Sequence, residues 1–246
     1  MTEPLILLPG LSCDAAAWQP VVRELSGVTC LVAGLPDADR LGWIAQGVLD
    51  AAPARFALAG HSMGGRVALE IVRRSPQRVS RLALLDTGYA ARAPGGAGEA
   101  ERRHRLALLA LAREQGMAAM GRVWSAPMVH PSRRADAQLM DAIVAMIARS
   151  TPERFARQLE ALLARPDASD VLAALSCPTL VLCGREDGWA GVAQHRDLAA
   201  RVAGSLLAVV DDCGHMAPME RPREVAQALR AWLAAPLRST PAVRAG

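Results

Sequence analysis

Apolar and polar positions along this 246-residue chain follow three successive patterns. From residue 5 to residue 88, short apolar runs alternate with amphipathic stretches. Residues 5–8 are a continuous apolar run bounded by prolines, which predicts a strand buried on both faces. Residues 15–25 place Trp18, Val21, Val22 and Leu25 on one stripe, which predicts a helix. The pattern repeats with strands at 29–32, 55–59 and 82–85 and helices at 41–51 and 66–74. Such alternation argues for βαβ units and a parallel sheet with helices on both faces. At 93–98 the chain turns Gly- and Pro-rich, which marks a linker. Every segment from 99 to 175 then reads as helix, at 99–115, 117–124, 132–149, 152–164 and 169–175. The strand pattern resumes at 178–183, followed by a helix at 192–202, a strand at 206–210 and a last helix at 222–234. The expected architecture is therefore a doubly wound, mainly parallel sheet interrupted by an all-helical insertion. Its divisions are a first core part (1–88), the insertion (89–175) and a second core part with a C-terminal helix and tail (176–246). The tail from 236 is expected to dock loosely.

Composition narrows the function classes. The 52% hydrophobic content suffices for one sizeable core. All 28 basic residues are Arg, because the chain contains neither Lys nor Asn, a composition expected of a GC-rich bacterial gene. The net charge is +4, but the arginines form no dominant block and have no interleaved aromatics, which argues against nucleic-acid binding. The first residues do not read as a signal peptide, and the apolar runs are too short to span a bilayer. Five cysteines without metal-ligand spacing fit a cytoplasmic protein with thiols rather than disulfides.

The chemistry centres on Gly60-His61-Ser62-Met63-Gly64-Gly65. A strand before it and a helix after it make a tight turn with Ser62 at the apex. Gly60 and Gly64 stand where such a turn has no room for side chains. The Met63 N–H would lie at the helix N-terminus, where partial positive charge favours an oxyanion. In an open parallel sheet, functional groups gather at the carboxyl ends of strands. Those ends carry Leu11, Ser62, Asp187 and His215. A serine hydroxyl needs a base, and the base needs an acid. His215 is the candidate base. Asp187 is the candidate acid, with Asp86, which also ends a strand, as the alternative. His61 adjoins Ser62, but its side chain is expected to diverge from the serine. His104, His130 and His195 are expected at the surface of the insertion or an outer helix. Cys13, Trp124, Met128, Trp189 and Met216 are the candidate pocket walls.

These motifs together resemble the α/β-hydrolase family. Gly60–Gly65 looks like its nucleophile elbow, Gly184-Arg185-Glu186-Asp187 like its acid loop and Gly214-His215 like its histidine loop. The resemblance covers essentially the whole chain and implies that the insertion is a lid. It also implies a core that starts at the family's third strand and so has six strands. Where the family often has His-Gly before its first oxyanion donor, this chain has Pro9-Gly10, which leaves the Leu11 backbone N–H as that donor. The implied activity is cleavage of a small or medium ester or thioester with an apolar acyl group, without metal or organic cofactor. C–C bond hydrolysis, a lyase step and peroxyacid formation on the same residues stay open. So does a ligand-binding module that has lost catalysis.

Overall fold

The computed structural model describes residues 3–237. Six strands form one sheet in the order β2-β1-β3-β4-β5-β6, and every neighbouring pair is parallel. They are β1 (Leu5–Leu8), β2 (Cys30–Val32), β3 (Phe56–His61), β4 (Val79–Leu85), β5 (Thr179–Gly184) and β6 (Leu206–Val210). The apolar runs in β1, β3 and β5 are buried along their whole length, as strands covered on both faces require. β2 and β6, at the edges, are only partly buried.

Right-handed crossovers fix where the helices lie. The chain leaves β1 through α1 (Gln19–Glu24) toward one edge. It returns through α2 (Leu41–Ala51) and continues past β3 through α3 (Met63–Arg74) toward the other. The direction of winding therefore reverses at β1. This puts α1 on one face and α2 and α3 on the opposite one. The carboxyl ends of β1 and β3 part at that reversal, the usual ligand crevice of an open α/β sheet. Leu11 follows one of these ends and Ser62 follows the other.

Between β4 and β5 the chain is wholly helical: α4 (Gly95–Gln115), α5 (Met117–Ser125), α6 (Ala137–Ala148), α7 (Pro152–Leu163) and α8 (Ser169–Ala174). The expected linker at 93–98 is shorter than its composition suggests, because α4 already begins at Gly95. Low helix propensity is overridden there by growth from the long amphipathic helix behind it. Two predicted helices are also broken. The 15–25 segment divides into a short 3₁₀ turn (Ala15–Ala17) and α1, with Pro20 in the first turn of α1. The 132–149 segment becomes a 3₁₀ turn (Pro131–Arg133) followed by α6, which Asp136 caps by accepting from the Leu139 N–H at 3.1 Å.

The core closes with α9 (Val192–Ala200), the short α10 (Ala217–Glu220) and α11 (Pro222–Ala234). Most of the tail expected from 236 lies outside the described residues. Among the described residues, no helix is long and apolar enough to cross a membrane.

Trp232 anchors α11. Its side chain is fully buried and its indole N–H donates to the Pro178 carbonyl at 3.0 Å. Trp232→Ala is expected to cost about 3–5 kcal/mol, since it opens a large cavity and removes a buried hydrogen bond. Urea denaturation of the two proteins measures this directly.

Candidate active site

Ser62 occupies the turn between β3 and α3 at φ 54°, ψ −116°, a left-handed conformation rare for a residue with a side chain. Its neighbours hold it there. The Ser62 N–H donates to the Leu85 carbonyl at 2.9 Å. Its carbonyl accepts from the Gly65 N–H at 3.0 Å and from the Thr87 hydroxyl at 2.7 Å. A methyl group on Gly60 would stand 2.3 Å from the Gly64 carbonyl oxygen, so only glycine fits.

Three strand ends converge on this serine. His215 Nε2 lies 2.9 Å from Ser62 Oγ, and His215 Nδ1 lies 2.8 Å from Asp187 Oδ2. The other Asp187 oxygen accepts from the N–H groups of Trp189 and Ala190 at 2.8 and 3.0 Å. Burial pushes the Asp187 pKa up, but the His215 charge and these hydrogen bonds outweigh it and hold the carboxyl at about 2. Asp86 does not reach His215. It is fully buried, and one oxygen accepts from the Gly184 N–H at 2.9 Å. Burial and the nearby Asp187 charge raise its pKa well above the carboxylate range. The N–H groups of Leu11 and Met63 have no acceptor among the described residues, and both residues line the cleft beside Ser62.

Below the serine lies a polar layer that the sequence pattern did not reveal. The His61 side chain does turn away from Ser62, but it is buried and its Nε2–H donates to the His215 carbonyl at 2.7 Å. Glu220 accepts from the N–H groups of Gly214 and Met216 at 3.1 and 3.2 Å, on either side of His215. Its second oxygen accepts from the His130 N–H at 2.8 Å. The only sequence signal for it is a carboxylate that directly follows the apolar residues 216–219. His195 is fully buried rather than at the surface. Its Nε2 accepts from the Thr87 N–H at 3.1 Å and its Nδ1–H donates to the Gly191 carbonyl at 3.2 Å. It shares a helical stripe with Leu198 and Val202, and that spacing is the signal for burial.

A narrow cleft of about 90 Å³ lies next to Ser62. Trp124 and Trp189 line it, with ring centroids 6.2 Å apart, and Trp189 lies 6.1 Å from the His215 ring. The other three expected wall residues are elsewhere. Cys13 faces a separate cavity with Ser12, Met146 and Arg149, and burial pushes its thiol up to about 12. Met128 and Met216 are packed into the core, because the chain uses their backbones rather than their side chains. The Met128 carbonyl accepts from the His215 N–H at 2.7 Å.

Arginine gives the cleft its charge, which sequence reading also missed. Arg66 and Arg105 line the inner cleft, and with Arg165 and Glu101 they line an outer one. Glu101 accepts from Arg105 at 2.9 Å and twice from Arg165 at 2.7 Å. Two guanidinium groups thus share one carboxylate, while Arg66 donates to the Ala90 carbonyl at 2.9 Å. Burial, with the neighbouring Arg165 charge, presses the Arg66 pKa down to about 9. Among the described residues no cluster of His, Cys, Asp and Glu could hold a metal ion.

The model of the alpha/beta hydrolase family matches residues 5–228. The chain belongs to the alpha/beta hydrolase family. This hydrolase is 30% identical over 246 residues to 2-succinyl-6-hydroxy-2,4-cyclohexadiene-1-carboxylate synthase of Salmonella newport, which covers 93% of this chain and 92% of that protein. It is 31% identical to the pimeloyl-[acyl-carrier protein] methyl ester esterase of Vibrio parahaemolyticus, over 86% of each. Among solved structures, a thermophilic esterase from Thermogutta terrifontis with malate bound superposes with a TM-score of 0.83 at 28% identity. That match covers 95% of this chain and 90% of the other.

The buried histidines make the alpha/beta hydrolase acid-sensitive. Burial, joined by the His215 charge, lowers His61 from its ordinary 6.5 to about 3, and burial lowers His195 as well. The unfolded chain therefore binds more protons at these two sites as pH falls below about 6.5, and the stability they contribute drops from there toward pH 3, against the opposite contribution of Asp86. His61→Gln, whose amide can still donate to the His215 carbonyl, is expected to flatten this dependence. Urea midpoints at pH 7 and pH 5 for both proteins test it.

Proposed function

We propose that this chain is a serine hydrolase that cleaves a small or medium carboxylic ester or thioester through an acyl-enzyme on Ser62. The observation that carries this reading is the unbroken hydrogen-bond run from Ser62 through His215 to Asp187, at 2.9 and 2.8 Å. Ser62 Oγ attacks the carbonyl carbon while His215 Nε2 takes its proton. Asp187 holds the Nδ1–H tautomer and stabilises the imidazolium. The Leu11 and Met63 N–H groups receive the oxyanion. His215 then returns the proton to the departing alkoxide or thiolate. Water, deprotonated by the same histidine, releases the acid and restores Ser62. Residues 89–175 serve as the lid over the two core parts, 1–88 and 176–246.

The lining favours a substrate with two characters. Leu11, Met63, Trp124, Leu162 and Trp189 suit an apolar stretch beside the serine. Arg66, Arg105 and Gln194 suit an anionic group farther out, where a carboxylate would relieve the charge crowding at Arg66. Two named relatives fit this chemistry, the pimeloyl methyl ester esterase and the esterase with malate bound. The synthase relative supports a second reading, in which the same residues run a non-hydrolytic step.

Wild-type protein is expected to hydrolyse p-nitrophenyl butyrate and to take a phosphonate label on Ser62. Ser62→Ala and His215→Ala should each lower kcat by about 10⁴-fold or more. Label on Ser62 without ester turnover would favour the non-hydrolytic reading. Tight ligand binding with neither label nor turnover would leave a binding module.

For the anionic group, the measure is the ratio of kcat/KM for the p-nitrophenyl monoester of glutaric acid to that for the butyrate. Arg105→Gln should reduce this ratio about tenfold, as loss of one charge-assisted contact implies. An unchanged ratio would remove the anion from the substrate description.

A further inference from the structure

We propose that Gln158, on the helical insertion, is a positioning residue for catalysis: it holds the turn that presents the Leu11 N–H. This inference rests on the reading of that N–H as an oxyanion donor.

Leu11 is the second residue of a tight turn, Gly10 to Cys13, closed by the Cys13 N–H donating to the Gly10 carbonyl at 3.1 Å. The third residue, Ser12, is buried and has φ +52°. A positive φ at the third position defines a turn that glycine or asparagine favours and serine does not. Left to its sequence, the turn would relax to the common form with negative φ. It would do so by rotating the peptide that joins Leu11 to Ser12 through about half a revolution. That rotation swings the Leu11 carbonyl and the Ser12 N–H to the opposite face. The Leu11 N–H sits on the preceding peptide, so the change reaches it through the re-set Leu11 ψ and the loosened Gly10–Cys13 turn.

Gln158 Oε1 accepts a hydrogen bond at 2.9 Å from the N–H of that same peptide, 146 positions away in the chain. Gln158 is only 1% exposed and lies on the buried stripe of α7 with Phe155, Leu159 and Leu162. Its side chain cannot follow the peptide if it turns. Rotation would leave a buried amide oxygen unpaired, so the bond opposes the relaxation that serine invites. The loop is tied to the insertion a second time, two residues later. Asp14 accepts from Arg149 at 2.7 and 3.0 Å while its Oδ1 caps the following 3₁₀ turn. A glutamine that merely satisfied its own polar atoms could do so from any accessible position. This one is aimed at the single peptide whose orientation distinguishes the two turn forms.

The test separates positioning from packing. Gln158→Met keeps the length of the side chain and removes the acceptor. With p-nitrophenyl butyrate, kcat should fall about 10- to 100-fold while KM changes less than about threefold, the pattern of a displaced oxyanion donor. Adding Ser12→Gly to that variant should restore most of the lost kcat, because glycine holds the positive φ without help. A kcat for Gln158→Met within about twofold of wild type overturns the proposal, as does a folded double variant with no recovery. Should Gln158→Met fail to fold, Gln158→Glu decides. It keeps an acceptor oxygen and should stay within about fivefold of wild type, whereas a folded Gln158→Glu that loses about 10-fold or more overturns the proposal. Where ester turnover is slow, the rate of Ser62 phosphonylation replaces kcat. Wild-type protein with neither turnover nor label would overturn the serine-hydrolase reading and this inference with it. An active wild type with an indifferent Gln158 would overturn this inference alone.

Discussion

The site depends on how closely α3 can approach β1. A methyl group on Gly64 would stand 2.4 Å from the Leu8 carbonyl oxygen and 2.6 Å from that of Pro9. Glycine there lets the first turn of α3 sit in the crevice where the sheet reverses its winding. That contact sets the spacing between the helix N-terminus and the loop after β1. The serine conformation it imposes costs about 1–3 kcal/mol. The expense is small beside the packing around it. Each large side chain buried from β3 and α3, such as Phe56, Leu58, Leu69 and Ile71, contributes about 1.5–3 kcal/mol.

Much of this was legible along the chain, for a physical reason. Strands buried on both faces are written as unbroken apolar runs, and the first residues beyond each run mark the carboxyl edge of the sheet. Ser62, Asp187 and His215 were nominated by that position, and the fold brings them within hydrogen-bond distance. The six strands and their parallel sense follow from the same alternation. Side-chain direction was not legible. Nothing local distinguishes Trp189, which reaches the cleft, from Met128 and Met216, which offer only backbone. Whether a side chain lines a cleft depends on how two distant loops meet.

The buried polar layer escaped for a related reason. His61 and Asp86 read individually as a motif neighbour and an alternative acid at a strand end, and Glu220 falls outside every predicted element. Their roles appear only when β3, β4 and the loop after β6 are assembled, because each satisfies or faces a group from another element. Gln158 and His195 did carry a trace, as polar residues on otherwise apolar helical stripes. Such residues are the places where periodicity predicts burial and chemistry demands a partner.

The carbonyl of Met128 has a consequence for how this architecture can diversify. The helical insertion supplies the acceptor for the His215 N–H, and it also supplies the glutamine that meets Ser12. Both loops that face the serine are therefore finished by residues from outside the sheet. The insertion is not an interchangeable module carried on a self-sufficient core. An exchange of helices between relatives would keep function only if the incoming segment delivered a carbonyl and an amide oxygen to the same two points. Freedom to vary is left to the helix surfaces between them, where Trp124 and Arg105 line the cleft.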